Sequence, residues 1–359
     1  MAINLGQFNA LISQGHMFEN EDLSSIDFSN INIGGAVFTG CSFNKCHFGQ
    51  AHLEQVNFVS CTFRGTNFSN SNWIDCNIID CDLELSQFSN ANFTGVNLTK
   101  PNLNKVIFSD CKLMETNFIE ANASQADFSR SNLSFASFLQ CDLTSTVFAL
   151  CMLERTNFIE CEMQYINFKD AHLQQTIFEK PALKGQDFSG MHLSMTQFRS
   201  AILNNCNFSH ANLTQVAFVE AELNNCEFIQ SKAPMALFND SQLKMSNLSQ
   251  CNLEQASFSN SDLTGCDFTK SNLTQAQLSN TRCIGTKFTK CELTYADLSN
   301  AVCSHSDFSD SALFRTNLHG VIDSGSIWSG SSKSLALGTD DKLEKAQKWQ
   351  PKAVSFTSA

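Results

Sequence analysis

Proline, tyrosine and tryptophan are scarce in this 359-residue chain, which has 4 Pro, 2 Tyr and 3 Trp against 32 Phe. Basic side chains are also few, since 23 Lys and Arg stand against 35 Asp and Glu, for a formal net charge of −12. This acidic balance argues against a protein that binds nucleic acid directly. So much Phe with so little Tyr indicates one buried environment that is repeated many times.

Long apolar runs and targeting signals are missing as well. No stretch of 18 apolar residues occurs, so we predict no membrane-spanning helix. The N-terminal segment MAINLGQFNALISQG has neither a basic region nor a small-residue cleavage site, which argues against a Sec signal peptide. We therefore expect a cytoplasmic protein, with export by a non-Sec secretion system as an open alternative.

A period of five residues organises most of the chain. In CNFSHANLTQVAFVEAELNNCEFIQ (206–230) the third residue of each block of five is Phe or Leu, and this register runs from Phe18 to Leu318 with no insertion. An α-helix cannot use it, because five residues turn about 500° and spread the apolar side chains around the axis. A flat strand cannot either, because an odd step sends successive large residues to opposite faces.

A chain that turns a corner every five residues satisfies this pattern. Each block forms one side of a coil, its large central residue points to the axis, and successive coils pair at strand spacing, as in β-solenoids. Because Phe and Leu alternate, a coil made of four blocks stacks one residue type on each side. Positions 28, 48, 68 and onward to 308 hold only Phe apart from Leu248. We predict four sides, about 15 coils and a rod on the order of 70 Å long.

The blocks ANLTQ, SDLTG, CDFTK and ADLSN resemble the A(D/N)LXX repeat of the pentapeptide-repeat protein family, over roughly residues 18–320. The resemblance implies an all-β fold, a right-handed quadrilateral β-helix, and a non-enzymatic rod that binds other proteins. Some members of that family are acidic DNA mimics that bind DNA gyrase and topoisomerase IV and give quinolone resistance. Others accompany bacterial secretion systems as effectors or accessory proteins.

Two functions are therefore considered. The first is a protein-binding rod or scaffold whose partner is another protein or a second copy of the chain. The second is a DNA-mimicking modulator of type II topoisomerases. Up to residue 320 the chain has 18 Lys and Arg against 31 Asp and Glu, whereas ~70 Å of B-DNA carries about 40 charges. This lower charge density makes the DNA mimic the alternative.

The sixteen cysteines fall in inward positions. Fourteen occupy the small first position of a block, and Cys283 and Cys303 occupy central positions. We predict reduced packing residues, because buried Cys behaves as a small hydrophobe. Among the eight His only His172 and His192 lie one predicted coil apart, and a metal shared by them is the less favoured interpretation. With no P-loop, HExxH, CxxC or nucleophile elbow, we expect no catalytic residue, cofactor or metal site.

Some first positions depart from the small-residue rule. Gln186 and Met191 place long side chains there, and Pro101 and Pro181 each lack a backbone donor. We predict local bulges at these positions.

The position after the central residue distinguishes one side of the rod. That column is Thr39, Val59, Ile79, Thr99, Ile119, Leu139, Ile159, Glu179, and the opposite column is Ser29, Gly49, Ser69, Ser89, Ser109, Ser129, Ala149, Lys169. The first contains an aliphatic stripe about 24 Å long. We predict that the stripe (Val59, Ile79, Ile119, Leu139, Ile159) and the neighbouring Asn57, Asn77, Asn97 and Asn117 form a partner interface. The alternative is that β-branched residues merely favour strands.

Both ends of such a rod need caps. In residues 1–17, Leu5, Phe8, Leu11 and Ile12 have helical spacing and Gly15 follows, which predicts a capping helix. Residues 18–320 form the β-helix. Residues 321–359 are predicted as a Gly/Ser-rich linker and a short helix that ends before Pro351. The helix has Leu343, Ala346 and Trp349 on one face, which either caps the rod or docks on a second subunit.

Overall fold

The computed structural model describes residues 5–349, which form a β-solenoid between two short helices. Helix α1 spans Leu5–Ser13, and helix α2 spans Asp341–Gln347 after a 3₁₀ turn at Lys333–Leu335. Ten three-residue strands form one parallel sheet in chain order, β1 to β10. Their bounds are Met17–Glu19, Val37–Thr39, Asn57–Val59, Asn77–Ile79, Asn97–Thr99, Asn117–Ile119, Ser137–Leu139, Asn157–Ile159, Ile177–Glu179 and Gln197–Arg199. Within residues 5–349, neither helix is long and apolar enough to cross a membrane.

The remaining sides of the coil pair through isolated parallel β-bridges between equivalent positions of successive coils, as from Asp22 to Ser42. The sheet supplies nine such steps, and bridges continue its column from Gln197 to Leu337 in seven more. Sixteen steps of about 4.8 Å correspond to a rod roughly 77 Å long. The four-sided parallel solenoid predicted from the five-residue period is confirmed.

A left-handed backbone residue forms the corner between successive sides. Every fifth residue from Gly15 to Gly330 has a positive φ, without exception, and most of these residues are not glycine. This conformation is unfavourable for a residue with a Cβ atom. On three sides a tight turn closes the corner, as where the Ile31 N–H donates to the Phe28 carbonyl at 3.1 Å. The period of the sequence is therefore the spacing of these corners.

The side that carries β1–β10, here called the strand side, has a different corner up to β9; after β10 the Ala201 N–H donates to the Phe198 carbonyl at 3.3 Å, as in the tight turns. Among the described residues, the N–H groups of Cys41 and Ala121 do not donate to the carbonyl three residues earlier, and the chain stays extended up to the corner. Pro101 and Pro181 occupy this same corner position, so neither removes a turn hydrogen bond. The bulge predicted at Pro101 is wrong, because Asn102 pairs regularly with both neighbouring coils.

The core consists of stacked columns of central side chains, all of them buried from Phe18 to Leu318. Along one column the ring centroids of Phe118 and Phe138 lie 4.5 Å apart with nearly parallel planes. Offset and stacked aromatic pairs add about 0.5–1.5 kcal/mol each beyond their buried area. The rod is therefore held together by contacts between each coil and its immediate neighbours.

Small polar side chains in the first positions satisfy core carbonyls. The Thr66 hydroxyl donates to the Phe43 carbonyl at 2.7 Å, and the Cys46 thiol donates to the Leu23 carbonyl at 3.0 Å. Cysteine thus fills the same place and makes the same bond as serine or threonine. All sixteen cysteines are free, fifteen are buried and Cys161 is partly exposed. The predicted packing role agrees with these positions.

Apolar side chains cover both ends of the core. At the start, the Phe8 ring of α1 lies 4.9 Å from Phe18 and 5.0 Å from Phe28. At the other end, Trp328 stacks on Phe308 at 4.1 Å, and the Lys333 ammonium lies 4.0 Å from the Trp328 ring centroid. Bridges at Ile327 and Leu337 extend the pairing past the predicted boundary at residue 320. Part of the segment predicted as a linker is therefore the last coil.

The two kinds of corner predict opposite effects of proline. Ala121→Pro should change the free energy of unfolding little, because the Ala121 N–H makes no turn bond on the strand side. Ala126→Pro should cost about 3 kcal/mol, because it removes the bond from the Ala126 N–H to the Ala123 carbonyl at 3.0 Å. Chemical unfolding of both variants checks this, and equal losses would contradict the difference between the corners.

Thiol reactivity should single out one cysteine. The neighbouring Cys141 thiol lowers the pKa of Cys161, the one partly exposed cysteine, whereas burial raises the pKa of Cys46 to about 11 and that of Cys111 to about 12. A thiolate-specific disulfide reagent at pH 8 should label Cys161 first in the native protein, and all sixteen thiols after denaturation. Rapid native labelling of many cysteines would mean that the core is open.

Candidate interaction surface

The asparagine column predicted beside the stripe forms a ladder along the strand side. Asn77 donates through Nδ2 to Oδ1 of Asn57 at 2.8 Å, Asn97 donates to Asn77 at 3.3 Å, and Asn117 donates to Asn97 at 2.9 Å. Ser137 ends the ladder in β7. Each bond joins consecutive coils, so the amides lie at the spacing of the strands.

The aliphatic stripe lies two residues further along the same strands. Val59, Ile79, Ile119, Leu139 and Ile159 are the last residues of β3, β4, β6, β7 and β8. Ile79 is 37% exposed and the other four are partly exposed. The structure thus brings all nine predicted interface residues onto one continuous sheet surface, and their role in binding stays a proposal.

Charged side chains border the stripe and are acidic on balance, since the next corner column holds Asp80, Glu120 and Glu160 against Lys100 between residues 60 and 160. At the next corner, Lys100 Nζ lies 3.5 Å from a carboxylate oxygen of Glu120, and both side chains are about half exposed. Gln140 donates to Glu160 at 2.9 Å in the same corner column. Exposed pairs of this kind contribute little to stability. They leave a flat apolar row between an amide ladder and a row of polar corners.

Corner geometry explains why the opposite column holds mostly serine between residues 29 and 129. There the N–H and hydroxyl of Ser69 both donate to Oδ1 of Asn67, at 2.9 and 2.7 Å, and the hydroxyl bond needs a serine or threonine. The strand side has no such closure. Beyond β10 the same column enters tight turns, and after Val219 its residues become Asn239, Ser259, Ser279 and Ser299. This change from aliphatic residues to serine is a sequence signal for the corner type that we had missed.

The second predicted docking surface lies on helix α2. Leu343 is 46% exposed and Trp349 is 72% exposed, Ala346 is also exposed, and the helix buries none of its residues. The apolar face of α2 therefore does not cap the rod, and docking stays the open alternative. The predicted stop at Pro351 lies outside the described residues.

One buried histidine ties α2 to the last coils. His319 Nδ1 accepts from the Asp340 N–H at 3.1 Å, and its Nε2 lies 3.1 Å from Oε1 of Gln347. These contacts fix the tautomer with the proton on Nε2, which donates to the glutamine. Sequence reasoning did not single out His319 as an anchor, because its partners lie 21 and 28 residues away.

Metal-ligating side chains do not cluster in residues 5–349, where no three His, Cys, Asp or Glu converge on a point. His172 bridges to Met152 and His192 bridges to Asn212, but no bridge joins the two histidines. Their separation by one coil therefore does not bring them into one paired column.

Two family models match most of the chain. The model described as "Pentapeptide repeat region" matches residues 15–88, 131–205 and 201–278. The model described as "Pentapeptide repeats (8 copies)" matches residues 74–110, 111–149 and 291–322. No curated protein matches the chain.

Solved structures of several repeat proteins are similar to parts of the rod. QnrB1, a plasmid-mediated fluoroquinolone resistance protein, is 27% identical over 44% of this chain and 83% of its own, with a TM-score of 0.26. A pentapeptide repeat protein from the Arabidopsis thaliana thylakoid lumen is 27% identical over 33% of this chain and 68% of its own, with a TM-score of 0.26. HetL, a pentapeptide repeat protein involved in heterocyst differentiation regulation from the cyanobacterium Nostoc, is 18% identical over 94% of this chain and 98% of its own, with a TM-score of 0.20.

The family assignment rests on the repeat itself. Five-residue corners, four-sided coils and buried Phe and Leu columns recur through the stretches that the two models match. This chain belongs to the pentapeptide-repeat family.

Proposed function

We propose that the protein is a non-enzymatic interaction rod that binds a protein partner through the aliphatic stripe on the strand side. The observation that carries the proposal is the row of partly exposed Val, Ile and Leu side chains on consecutive strands, beside a ladder of asparagine amides. Exposed contiguous apolar surface of this kind is typical of contact sites.

Strand geometry alone does not require this stripe. Thr39 and Thr99 occupy the same column and meet the same conformational demand with a β-branched side chain that carries a hydroxyl. Leu139 is aliphatic without being β-branched. Strand preference explains β-branched residues in this column, but it does not explain why Val, Ile and Leu stand at the remaining positions instead of threonine. A contact surface explains that choice.

The adjoining ladder gives the surface hydrogen-bonding capacity. A side-chain amide has two N–H donors and an acceptor oxygen with two lone pairs. Within the ladder, Asn77 uses one N–H toward Asn57 and one lone pair toward Asn97. The second N–H and the second lone pair remain for a partner, so the surface suits a segment with an apolar row beside polar groups.

The size of the stripe sets the expected strength of binding. A row about 24 Å long and one side chain wide covers much less than the ~800 Å² per partner of a standard stable interface. We therefore expect a transient complex, or one in which the neighbouring columns of the strand side also take part. This applies equally to a second copy of the chain.

Replacement of the stripe tests the proposal. The triple variant Ile119→Ser, Leu139→Ser and Ile159→Ser should abolish binding of a partner captured by the wild-type rod, because it removes the central apolar contacts. A matched control, Leu150→Ser, Ile229→Ser and Leu237→Ser, removes three aliphatic side chains elsewhere and should bind normally. Far-UV circular dichroism should be unchanged in both. Undiminished binding or self-association by the stripe variant would refute the contact role.

The alternative function is a DNA mimic that acts on type II topoisomerases, and the net charge of −12 favours it. Interspersed basic residues oppose it, since Arg130 pairs with Asp110 at 2.7 Å and Lys287 with Asp267 at 3.4 Å on the rod surface. Effector or secretion-accessory roles and a cytoplasmic location also stay predictions.

A supercoiling assay separates the two functions. An interaction rod that binds through the stripe should leave DNA gyrase activity unchanged when it is added at micromolar concentration. Inhibition that survives the stripe substitutions and weakens with added salt would instead support the DNA mimic, because binding driven by surface charge is screened.

A further inference from the structure

Inter-coil pairing is interrupted once, on three of the four sides. On the N-terminal side of the interruption a bridge joins Asp142 to Glu162, and on its C-terminal side a bridge joins Ala182 to Ile202. Among the described residues, no bridge joins the positions 162 and 182, 167 and 187, or 172 and 192. We call this interruption the opening.

Most of the backbone hydrogen bonds that neighbouring coils make on these three sides are missing at the opening. One coil earlier, the N–H groups of Phe148, Leu150 and Leu153 donate to carbonyls of the next coil at 2.8–2.9 Å. Eight donors that have such bonds elsewhere in the described solenoid lack them here: Met163, Tyr165, Phe168, Asp170, Leu173, Ala182, Asp187 and His192.

The core columns show the same interruption. Phe148 stacks on Phe168 and Phe188 stacks on Phe208, at 5.6 and 5.1 Å, but no ring contact joins Phe168 to Phe188 in this part of the structure. A cavity of about 450 Å³ lies between 167–170 and 186–191. Ile166 and Phe168 are each 3% exposed beside it, so solvent reaches the edge of the core.

Side-chain size explains the opening. In one column of first positions, Thr146, Ile166, Gln186 and Cys206 follow one another in successive coils. In the column on the next side, Met191 follows Ala171. Gln186 also carries an amide, and burying an unpaired polar group is unfavourable. Gln186 stays partly exposed. At Gln186 and Met191 the structure shows this separation of two coils in place of the predicted local bulges, and the five-residue corner spacing is kept.

The strand side stays closed across the opening. Strands β9 and β10 pair in register, Phe178 stacks on Phe198 at 5.1 Å, and the Gln197 N–H donates to the Thr176 carbonyl at 2.9 Å. One side of the rod is therefore continuous while the other three are not.

We propose that the opening is a hinge, at which the coils up to residue 180 and the coils from residue 181 bend relative to each other about the strand side. Elsewhere, bending must lengthen backbone bonds on the three sides away from the pivot. At the opening eight of those bonds are already absent, and among the described residues the Gln175 N–H, which lies next to the strand side, still donates to the Ser194 carbonyl at 3.1 Å. Bending there therefore breaks far fewer backbone bonds than bending elsewhere. The hinge lies just beyond Ile159, the last residue of the stripe, and separates the stripe-bearing coils from the rest of the rod. This inference does not depend on the proposed function.

Residue-resolved hydrogen exchange tests the opening in the wild-type protein. The amides of Phe168, Asp170 and Leu173 should exchange roughly 100-fold faster than those of Phe148, Leu150 and Leu153, because only the latter are bonded to the next coil. Equal protection of the two sets would overturn the proposal.

A double substitution tests the cause and the motion. Gln186→Ala with Met191→Ala should let the coils close, slow exchange at Phe168, and change the small-angle scattering from that of a bending rod to that of one straight rod. The matched control, Cys151→Ala with Cys206→Ala, lies in the same two columns and should leave both readouts as in the wild type. If the double variant does not fold, the single variant Gln186→Ala is measured in its place with the same two readouts.

The scattering decides between a hinge and a fixed gap. Wild-type curves that require a distribution of bend angles support the hinge. Fast exchange at Phe168 together with scattering from a single rigid shape would overturn it, as would a double variant with unchanged curves.

Discussion

The left-handed corner at every fifth residue is the constraint on which the rest of this structure depends. With one corner per block, four blocks close a coil, and identical positions of successive coils fall into register. That register decides which side chains are buried, which polar groups meet and which surface columns form. A residue with a Cβ atom is disfavoured in this conformation. The inter-coil hydrogen bonds and the stacked core offset that cost, and they can do so only if no coil gains or loses a residue.

Much of the fold could be predicted because the period is so regular. Phe and Leu at alternate central positions indicate four sides, and the small first positions locate the cysteines in the core. The difference between the strand side and the other sides was harder to predict, since both corner types place the large residue inward. Its signal lies in the next residue, which is serine where Asn67 closes a turn on Ser69 and is aliphatic, apart from Thr99, where β3–β8 remain extended. The end of the rod was misjudged because Asp323 interrupts the register, although Trp328 resumes it.

The candidate surface was predictable as a column of residues but not as a site. Spacing alone placed Ile119, Leu139 and Ile159 in one row, and the structure adds their exposure and the amide ladder beside them. Which partner uses the row is not encoded in the period. The opening was foreseen only as oversize residues at Gln186 and Met191. That three sides separate while the fourth stays paired follows from the extended strands β9 and β10, and these become visible only in three dimensions.

The register can be tested directly by deleting a coil. Removal of residues 251–270 takes out one complete coil and joins Gln250 to Ser271, so every remaining position still meets an equivalent partner in the neighbouring coil. Because each coil contacts only its neighbours, this variant should keep cooperative unfolding and most of its stability. Removal of residues 251–269 shifts the remaining coils by one residue and should destroy the fold beyond the junction. Chemical unfolding followed by circular dichroism measures both variants, and equal stability of the two deletions would contradict the dependence of the structure on the five-residue corner.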